Sequence, residues 1–147
     1  MMQLTKGVSE DLPEVWLHAY SLPRPFDGLN IPLPVQSCFL RNYAKNKGYF
    51  FVLPAVEWCI DGLYIQLRKL MSTENVSEIG MTSIKMLPLM KEQQLNNLLD
   101  CSQEVNFHCV LENLIINNYN LPEYAKEYRS LAKLSESNFS KLDQYFQ

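Results

Sequence analysis

The chain has 147 residues, of which 47% are hydrophobic and 20% charged, and its formal net charge is −3 at pH 7. This length and composition are typical of one globular domain with its own core. The acidic balance disfavours a nucleic-acid surface, which usually carries a basic stripe. No basic segment followed by an apolar one opens the chain, and no run approaches 18 apolar residues. We therefore expect a cytoplasmic protein without a membrane span.

Apolar runs bounded by Gly or Pro alternate with stretches that repeat apolar residues at helical spacing. The runs are typical of strands buried on both faces of a parallel sheet, and the repeats are typical of amphipathic helices. The pattern predicts strand 14–21, helix 35–48, strand 49–54, helix 61–72, strand 77–87, helix 89–101, strand 104–116 and helix 121–134. We interpret 1–13 as a flexible lead-in, 14–134 as the domain and 135–147 as a C-terminal tail.

Strands that alternate with helices predict an α/β domain, with a mostly parallel four-stranded sheet flanked by helices. In such sheets the loops at the carboxyl ends of the strands form the ligand crevice. The loop after the first strand, residues 22–34, contains four prolines. We therefore expect this proline loop to form one wall of the crevice, and Lys85 and Pro88 at the end of the third predicted strand to lie at the same crevice.

Three residues near the predicted carboxyl ends could carry nucleophilic or acid–base chemistry. Ser21 could act as a nucleophile or a hydrogen-bond donor, although a serine at a strand end more often caps a turn. Glu57 lies between two apolar residues and could serve as an acid or base, or it could cap the next helix. Glu112, near the end of the last predicted strand, is the third candidate.

Arg24 stands between two prolines that fix its backbone, so less entropy is lost when its guanidinium binds a ligand. A fixed guanidinium suits a carboxylate or a phosphate, and the alternative is an ion pair with Asp27. Phe26 lies beside it in the sequence. Gly28 is expected to adopt a positive φ in the same loop.

His18 and His108 lie within apolar strand runs, where a lone histidine is more often a core residue than a catalyst. No second histidine or carboxylate lies at the sequence spacing that a metal site requires, so we predict no metal site and no cofactor. Tyr64 and Arg68 are one helical turn apart and could both point at the crevice. Packing is the preferred interpretation for Tyr64, and solvent exposure for Arg68.

The chain has four widely spaced cysteines, and none of them forms a C-x-x-C pair. This spacing disfavours a zinc site. Most lie in apolar runs, which are the usual setting of a reduced core thiol. We therefore predict core cysteines at Cys38, Cys59, Cys101 and Cys109.

The order of motifs resembles a known family. The motifs are S-x-x-R-P-F-x-G at 21–28, R-N-Y at 41–43 and F-H-x-x-L-E-N at 107–113. Together they are similar to the sporadic carbohydrate cluster proteins, which are small bacterial proteins encoded among genes for surface-polysaccharide biosynthesis. The resemblance covers about two thirds of the chain, residues 16–116, and implies a biosynthetic setting. The chain departs from the family pattern at 56–58, where Val-Glu-Trp replaces Thr-Glu-Tyr.

That family in turn distantly resembles the catalytic domain of serine recombinases, the resolvases. The comparison implies a resolvase-like fold, with Ser21 at the place of the nucleophile and Glu112 at that of a strand-ending glutamate. The arginine expected two residues before the serine is Ala19 here, and an expected arginine pair falls near Lys85 and Pro88. Without those arginines phosphate charge would not be neutralised, so we reject strand exchange and expect no nucleic-acid partner.

Two functions remain open from the sequence. The first is a small enzyme or sugar-binding protein of polysaccharide biosynthesis that acts on an acidic or phosphorylated sugar. The second is a non-catalytic partner or regulator of a biosynthetic enzyme, with Tyr119, Tyr124 and Tyr128 as an exposed interface. A homodimer is a separate alternative, for which the sequence offers no interface. For the first function, the catalytic candidates are Ser21, Glu57 and Glu112. Its ligand-binding candidates are Arg24, Phe26, Gly28, Gln36, Tyr64, His108 and Asn113.

Overall fold

A computed structural model describes residues 15–26, 28–58, 62–100 and 103–146, with side chains as far as Glu136. Predictions that concern the lead-in 1–13, Asp27, Cys59 and Cys101 lie outside the described residues. The elements are β1 (Trp16–Ser21), α1 (Leu33–Lys47), β2 (Phe50–Val56), α2 (Ile65–Ser72), β3 (Glu78–Met81), α3 (Glu92–Leu98), β4 (Asn106–Cys109), β5 (Leu114–Asn117) and α4 (Leu121–Phe146). A short 3-10 helix, Ile84–Met86, lies between β3 and α3.

The strands form one sheet in the order β2-β1-β3-β4-β5. The pairings β1–β2, β1–β3 and β3–β4 are parallel, and β4–β5 is antiparallel. The predicted α/β class is confirmed. The prediction of four strands is wrong, because the sheet has a fifth strand and is mixed.

The fifth strand arises because the predicted strand 104–116 is a hairpin. Its turn occupies residues 110–113, where Val110 N–H donates to the Met81 carbonyl at 3.1 Å. Asn113 adopts a φ of 50°, in the left-handed region that asparagine tolerates better than most residues. The apolar run continues into this turn, so the sequence shows no clear break between the two strands.

Two other predicted elements have different bounds. Only β3 forms a strand within the predicted span 77–87. The chain then turns into the 3-10 helix, because the Ser83 hydroxyl accepts a hydrogen bond from Lys85 N–H at 3.1 Å. The last helix continues past its predicted end at residue 134, through the predicted tail, to Phe146.

Successive strand residues face opposite sides of the sheet. On one side, which we call the α1 face, α1 packs on β1 and β2, with Leu17, Leu40 and Ala44 buried. The other side, the α2 face, is covered by α2, α3 and the start of α4. There the main core includes Tyr20, Leu67, Ile79, Met81, Leu95, Phe107 and Leu121.

The two described cysteines differ in environment. Cys109 is buried, as predicted, but Cys38 is exposed on α1, so the prediction of a core thiol there is wrong. Its neighbours on the inner side of α1 are Gln36 and Leu40, and residue 38 falls on the solvent side of the helix. Within the described ranges, no helix combines the length and the apolar character needed to cross a bilayer.

Candidate functional site

A cleft of about 290 Å³ lies where the loops after β2 and β3 approach α4. We call it the lysine–tyrosine cleft. Its position agrees with the rule that parallel sheets bind ligands beyond the carboxyl ends of their strands. The polar residues that line it are Tyr64, Lys85, Lys91, Gln94 and Tyr128.

The described lining of the cleft has a formal positive charge, although the whole chain is acidic. Among its described lining residues are two lysines and no carboxylate. Arg129 lies nearby on α4, where its guanidinium donates to the Leu89 carbonyl at 2.7 Å and so holds the loop that leads to Lys91. A concave site lined by ammonium groups attracts anionic ligands.

Tyr64 is held in an uncommon backbone conformation at the edge of the cleft. Its φ and ψ are 49° and 46°, a left-handed conformation that costs a non-glycine residue of the order of 1–3 kcal/mol. The side chain packs partly against the core, as predicted, and also lines the cleft. The surrounding fold must therefore hold this residue in place.

Glu57 supplies part of that support. Its buried carboxylate accepts hydrogen bonds from Gln66 N–H at 2.9 Å and from Leu67 N–H at 3.2 Å, in the first turn of α2. The Tyr20 hydroxyl donates to the same oxygen at 3.2 Å. Burial, and then the charge of Glu57, raise the pKa of Tyr20 well above its ordinary value. These contacts fix the start of α2 directly after Tyr64.

Glu112 supports the other loop of the cleft in the same way. Its carboxylate accepts from the Ser83 hydroxyl at 2.6 Å and from Ile84 N–H at 2.8 Å. These bonds hold the 3-10 helix that carries Lys85. Burial, and then the Glu112 charge, raise the pKa of the nearby Cys109 thiol to about 12.

Ser21 does not converge with these carboxylates. It is buried at the end of β1, and its hydroxyl has no hydrogen-bond partner among the described residues. Tyr20, which contacts Glu57, belongs to the core of the α2 face, so the next residue along the strand faces α1. Ser21 and the Glu57 carboxylate therefore lie on opposite sides of the sheet.

The proline loop is tied down by Gln36, which is fully buried on α1. The Gln36 amide accepts from Leu22 N–H at 3.1 Å and donates to the carbonyls of Leu22 and Ile31, both at 2.7 Å. Both partner residues, Leu22 and Ile31, belong to the proline loop. The amide thus holds the loop, and its contacts are to backbone.

The other candidates of this loop have separate places. Phe26 is part of the core and forms backbone hydrogen bonds with Leu29 across a tight turn. Gly28 in that turn has a φ of 78°, as predicted. Arg24 is half-buried, and its charge acts on the Tyr20 hydroxyl. None of these residues is among the described lining of the lysine–tyrosine cleft.

Two candidates from the second half of the chain also lie apart from the cleft. His108 is buried on the α1 face, where its ring contacts Tyr43 and Glu78. Asn113 is exposed in the turn between β4 and β5. Arg68 is exposed on α2, as predicted from its spacing.

Sequence reasoning placed Lys85 at the crevice but missed Lys91, Gln94 and Tyr128. The predicted helix began at residue 89 and absorbed Lys91, whereas α3 begins at Glu92. The segment after β3 contains Pro88 and two lysines, Lys85 and Lys91, and these were the available signal for a ligand loop. No local pattern could show that Tyr128, on α4, would approach the same loop.

We compared the chain with protein-family models, with curated proteins and with solved structures, and no match was found in any of them. What the cleft can bind therefore follows from its own residues.

Proposed function

We propose that the protein binds an acidic or phosphorylated sugar in the lysine–tyrosine cleft and serves bacterial surface-polysaccharide biosynthesis. The observation that carries the binding proposal is the combination of two lysines and two tyrosines in one concave site. Ammonium groups attract a carboxylate or phosphate, and each tyrosine offers an apolar ring with a hydroxyl at its tip. A sugar has both apolar C–H faces and hydroxyls. The biosynthetic setting rests on the resemblance to the sporadic carbohydrate cluster proteins.

The size of the cleft narrows the ligand class. Pockets for drug-sized ligands measure about 300–1,000 Å³. At about 290 Å³, the lysine–tyrosine cleft is at the lower end of this range. A single sugar ring with one anionic group is therefore the preferred ligand, and a nucleotide sugar would extend beyond the cleft.

The contacts of the two carboxylates favour binding over turnover. Both Glu57 and Glu112 accept hydrogen bonds from backbone N–H groups at the start of helical segments next to the cleft. A carboxylate committed to such bonds positions the loop and is poorly placed to move a proton on a ligand. We therefore assign both to positioning, and the sugar-binding form of the proposal is the stronger one.

The test is a thermal-shift and calorimetric titration with sugar phosphates, uronic acids and the matching neutral sugars. An anionic sugar at about a hundred times its Kd should stabilise the protein by about 2.7 kcal/mol, and the neutral sugar should do much less. Lys91→Gln should weaken binding, whereas Lys126→Gln, on the exposed side of α4, should not. Absence of any shift, or an unchanged affinity in Lys91→Gln, would reject the proposal. Loss of binding in Arg24→Ala alone would move the anion to the proline loop.

The partner function is the second candidate, and the exposed apolar edge of the sheet favours it. Trp16 and Phe50 stack with ring centroids 4.5 Å apart and are 54% and 45% exposed. On the edge strand β2 Leu53 is 76% exposed, and Trp58, two residues after that strand, is 70% exposed. Patches of this kind often mark protein interfaces.

The tyrosine interface predicted for this function is not a single exposed patch. Tyr119 is 60% exposed, but Tyr124 and Tyr128 pack partly against the core. The edge of the sheet is the better candidate surface. If it binds a sugar-modifying enzyme, Leu53→Lys should abolish co-purification of that enzyme while leaving the fold intact. Unchanged co-purification would exclude this surface.

A further inference from the structure

A second polar cluster lies on the α1 face, on the side of the sheet away from the lysine–tyrosine cleft. The Tyr43 hydroxyl of α1 is 2.8 Å from His108 Nδ1, and His108 Nε2 is 2.7 Å from Glu78 Oε2. We call these three residues the tyrosine relay. They come from three different elements, α1, β4 and β3, so only the folded chain assembles them.

The partners fix the direction of each hydrogen bond in the neutral imidazole. A carboxylate oxygen accepts only, so Nε2 of His108 holds the ring proton and donates it to Glu78. Nδ1 is then the acceptor and takes the hydrogen bond from the Tyr43 hydroxyl. Asn106 donates to the other oxygen of Glu78 at 3.1 Å and holds that carboxylate in place. This arrangement orients His108 as a base directed at the phenol of Tyr43.

The surroundings hold the relay but leave the sheet beside it open. His108 is only 2% exposed. Tyr43 and Tyr49 both approach its ring edge-on, and the centroid of each tyrosine ring is 5.6 Å from that of the imidazole. Ile115 pairs directly with His108 across β4 and β5, so it lies on the same face, yet it is 51% exposed. Tyr43 is itself half-buried.

We propose that Tyr43 is a nucleophilic phenol, activated by His108, that accepts an acyl group from an activated ester. In the step, the Tyr43 oxygen forms a bond to the acyl carbon while the bond from that carbon to its leaving alkoxide or thiolate breaks. The phenolic proton passes to Nδ1 of His108, and Glu78 stabilises the resulting imidazolium. The Lys47 ammonium lies over the Tyr43 ring, 5.8 Å from its centroid, and adds positive charge beside that ring.

Other properties of Tyr43 show why a base is needed. Burial, and then the neighbouring Tyr49, Cys109 and Glu78, raise the pKa of Tyr43. At neutral pH the phenol is therefore protonated, and protonated phenols are weak nucleophiles. A general base at hydrogen-bond distance typically contributes a factor of about 10²–10⁴.

The test uses 4-nitrophenyl acetate on the full chain, with acetylation measured at each tyrosine by peptide mass spectrometry. Tyr119 provides an internal comparison, because it is 60% exposed whereas Tyr43 is half-buried. Accessibility alone predicts faster acetylation of Tyr119. Activation by the relay predicts that Tyr43 reacts about 100-fold faster than Tyr119 or more. Equal or slower acetylation of Tyr43 in the wild-type protein would overturn the proposal.

Two variants separate activation from simple packing. His108→Gln should reduce the acetylation rate of Tyr43 to that of an ordinary tyrosine and leave Tyr119 unchanged. Glu78→Gln keeps a hydrogen-bonding side chain of the same length but removes the charge that stabilises the imidazolium, so it should slow Tyr43 to an intermediate rate. A Tyr43 rate that is unaffected in the folded Glu78→Gln protein would also contradict the relay.

Discussion

Glu57 and Glu112 have the same structural task, although they lie in different parts of the chain. Each accepts hydrogen bonds from backbone N–H groups at the start of a helical segment. The first N–H groups of a helix have no partner within it, and they carry the positive end of the helix dipole. A carboxylate satisfies both requirements. From the sequence, Glu57 could equally be an acid, a base or a cap, because hydrogen-bond partners cannot be read from local composition.

Replacement of Glu57 by alanine tests this assignment. The change leaves the N–H groups of Gln66 and Leu67 and the hydroxyl of Tyr20 without their acceptor. Hydrogen bonds to charged groups contribute about 1.5–3 kcal/mol, so we expect the free energy of unfolding to fall by at least about 2 kcal/mol. Urea denaturation measures it. Glu127→Ala, at an exposed position on α4, should change stability by less than about 0.5 kcal/mol. Equal effects of the two substitutions would contradict the capping role.

Gly80 on β3 shows a second kind of requirement at a single residue. No side chain fits at this position, because the Leu17 side chain of the neighbouring strand β1 occupies the space. A Cβ atom at this position would lie 2.9 Å from Cδ2 and 3.0 Å from Cγ of Leu17, whose side chain is fully buried. We expect Gly80→Ala to destabilise the protein by about 1–3 kcal/mol, as overpacking usually does. In a double-mutant cycle, Leu17→Val should reduce that cost by making room. Additive effects in thermal or chemical denaturation would show that Leu17 is not the obstacle.

At the scale of elements, the helices and the first two strands were predictable because each depends on local sequence. Gly48 ends α1 with a φ of 73° and Lys45 and Lys47 occupy its last turn, and both are local features that favour the end of a helix. The hairpin of β4 and β5 was not predictable in this way. Its turn is made by a long-range contact with the end of β3 and by an asparagine in a left-handed conformation, and the apolar run conceals both.

The proline loop also depends on a contact outside its own sequence. Gln36 makes three hydrogen bonds to the backbone of this loop from a fully buried position. Gln36→Leu should leave the N–H of Leu22 unsatisfied and release the loop from α1. We expect faster amide hydrogen exchange at Leu22 and Leu29, and a smaller increase in the exchange rates of the central strands. Asn46→Ala, on the exposed side of α1, is the matched control. Unchanged exchange in Gln36→Leu would mean that the prolines alone hold the loop.

At the scale of the whole molecule, the sheet separates two chemically different sites. The α2 face has the apolar core, and the lysine–tyrosine cleft lies at its carboxyl edge. The α1 face has the tyrosine relay. The alternation of strands and helices indicated the class of the fold, but it could not show which side of the sheet each loop would join. Ser21 and Glu57 were therefore grouped in one site, although they face opposite sides.

The buried thiol of Cys109 makes the folded protein less stable at alkaline pH. Its pKa is raised to about 12 in the folded protein, from an ordinary value of 9.0. Between these values the unfolded chain loses the proton and the folded protein keeps it, so stability falls as pH rises. The stability that the buried, protonated thiol contributes is fully present below pH 9. Burial also raises the pKa values of Tyr20, Tyr43 and Tyr124 from 10.0, so these groups add to the loss as the pH approaches 10 and rises further.

In the interval from pH 9 to pH 10 the thiol titrates in the unfolded chain and the three tyrosines begin to do so. One proton corresponds to at most about 1.4 kcal/mol per pH unit, and we expect the thiol to contribute a loss of about 1 kcal/mol across this interval. Urea denaturation at several pH values measures it. In Cys109→Ala the protein is less stable at every pH because of the lost packing, but the slope between pH 9 and pH 10 should be shallower. Cys38→Ala removes the exposed thiol and should keep the wild-type slope. If Cys109→Ala keeps that slope as well, another group carries the alkaline instability.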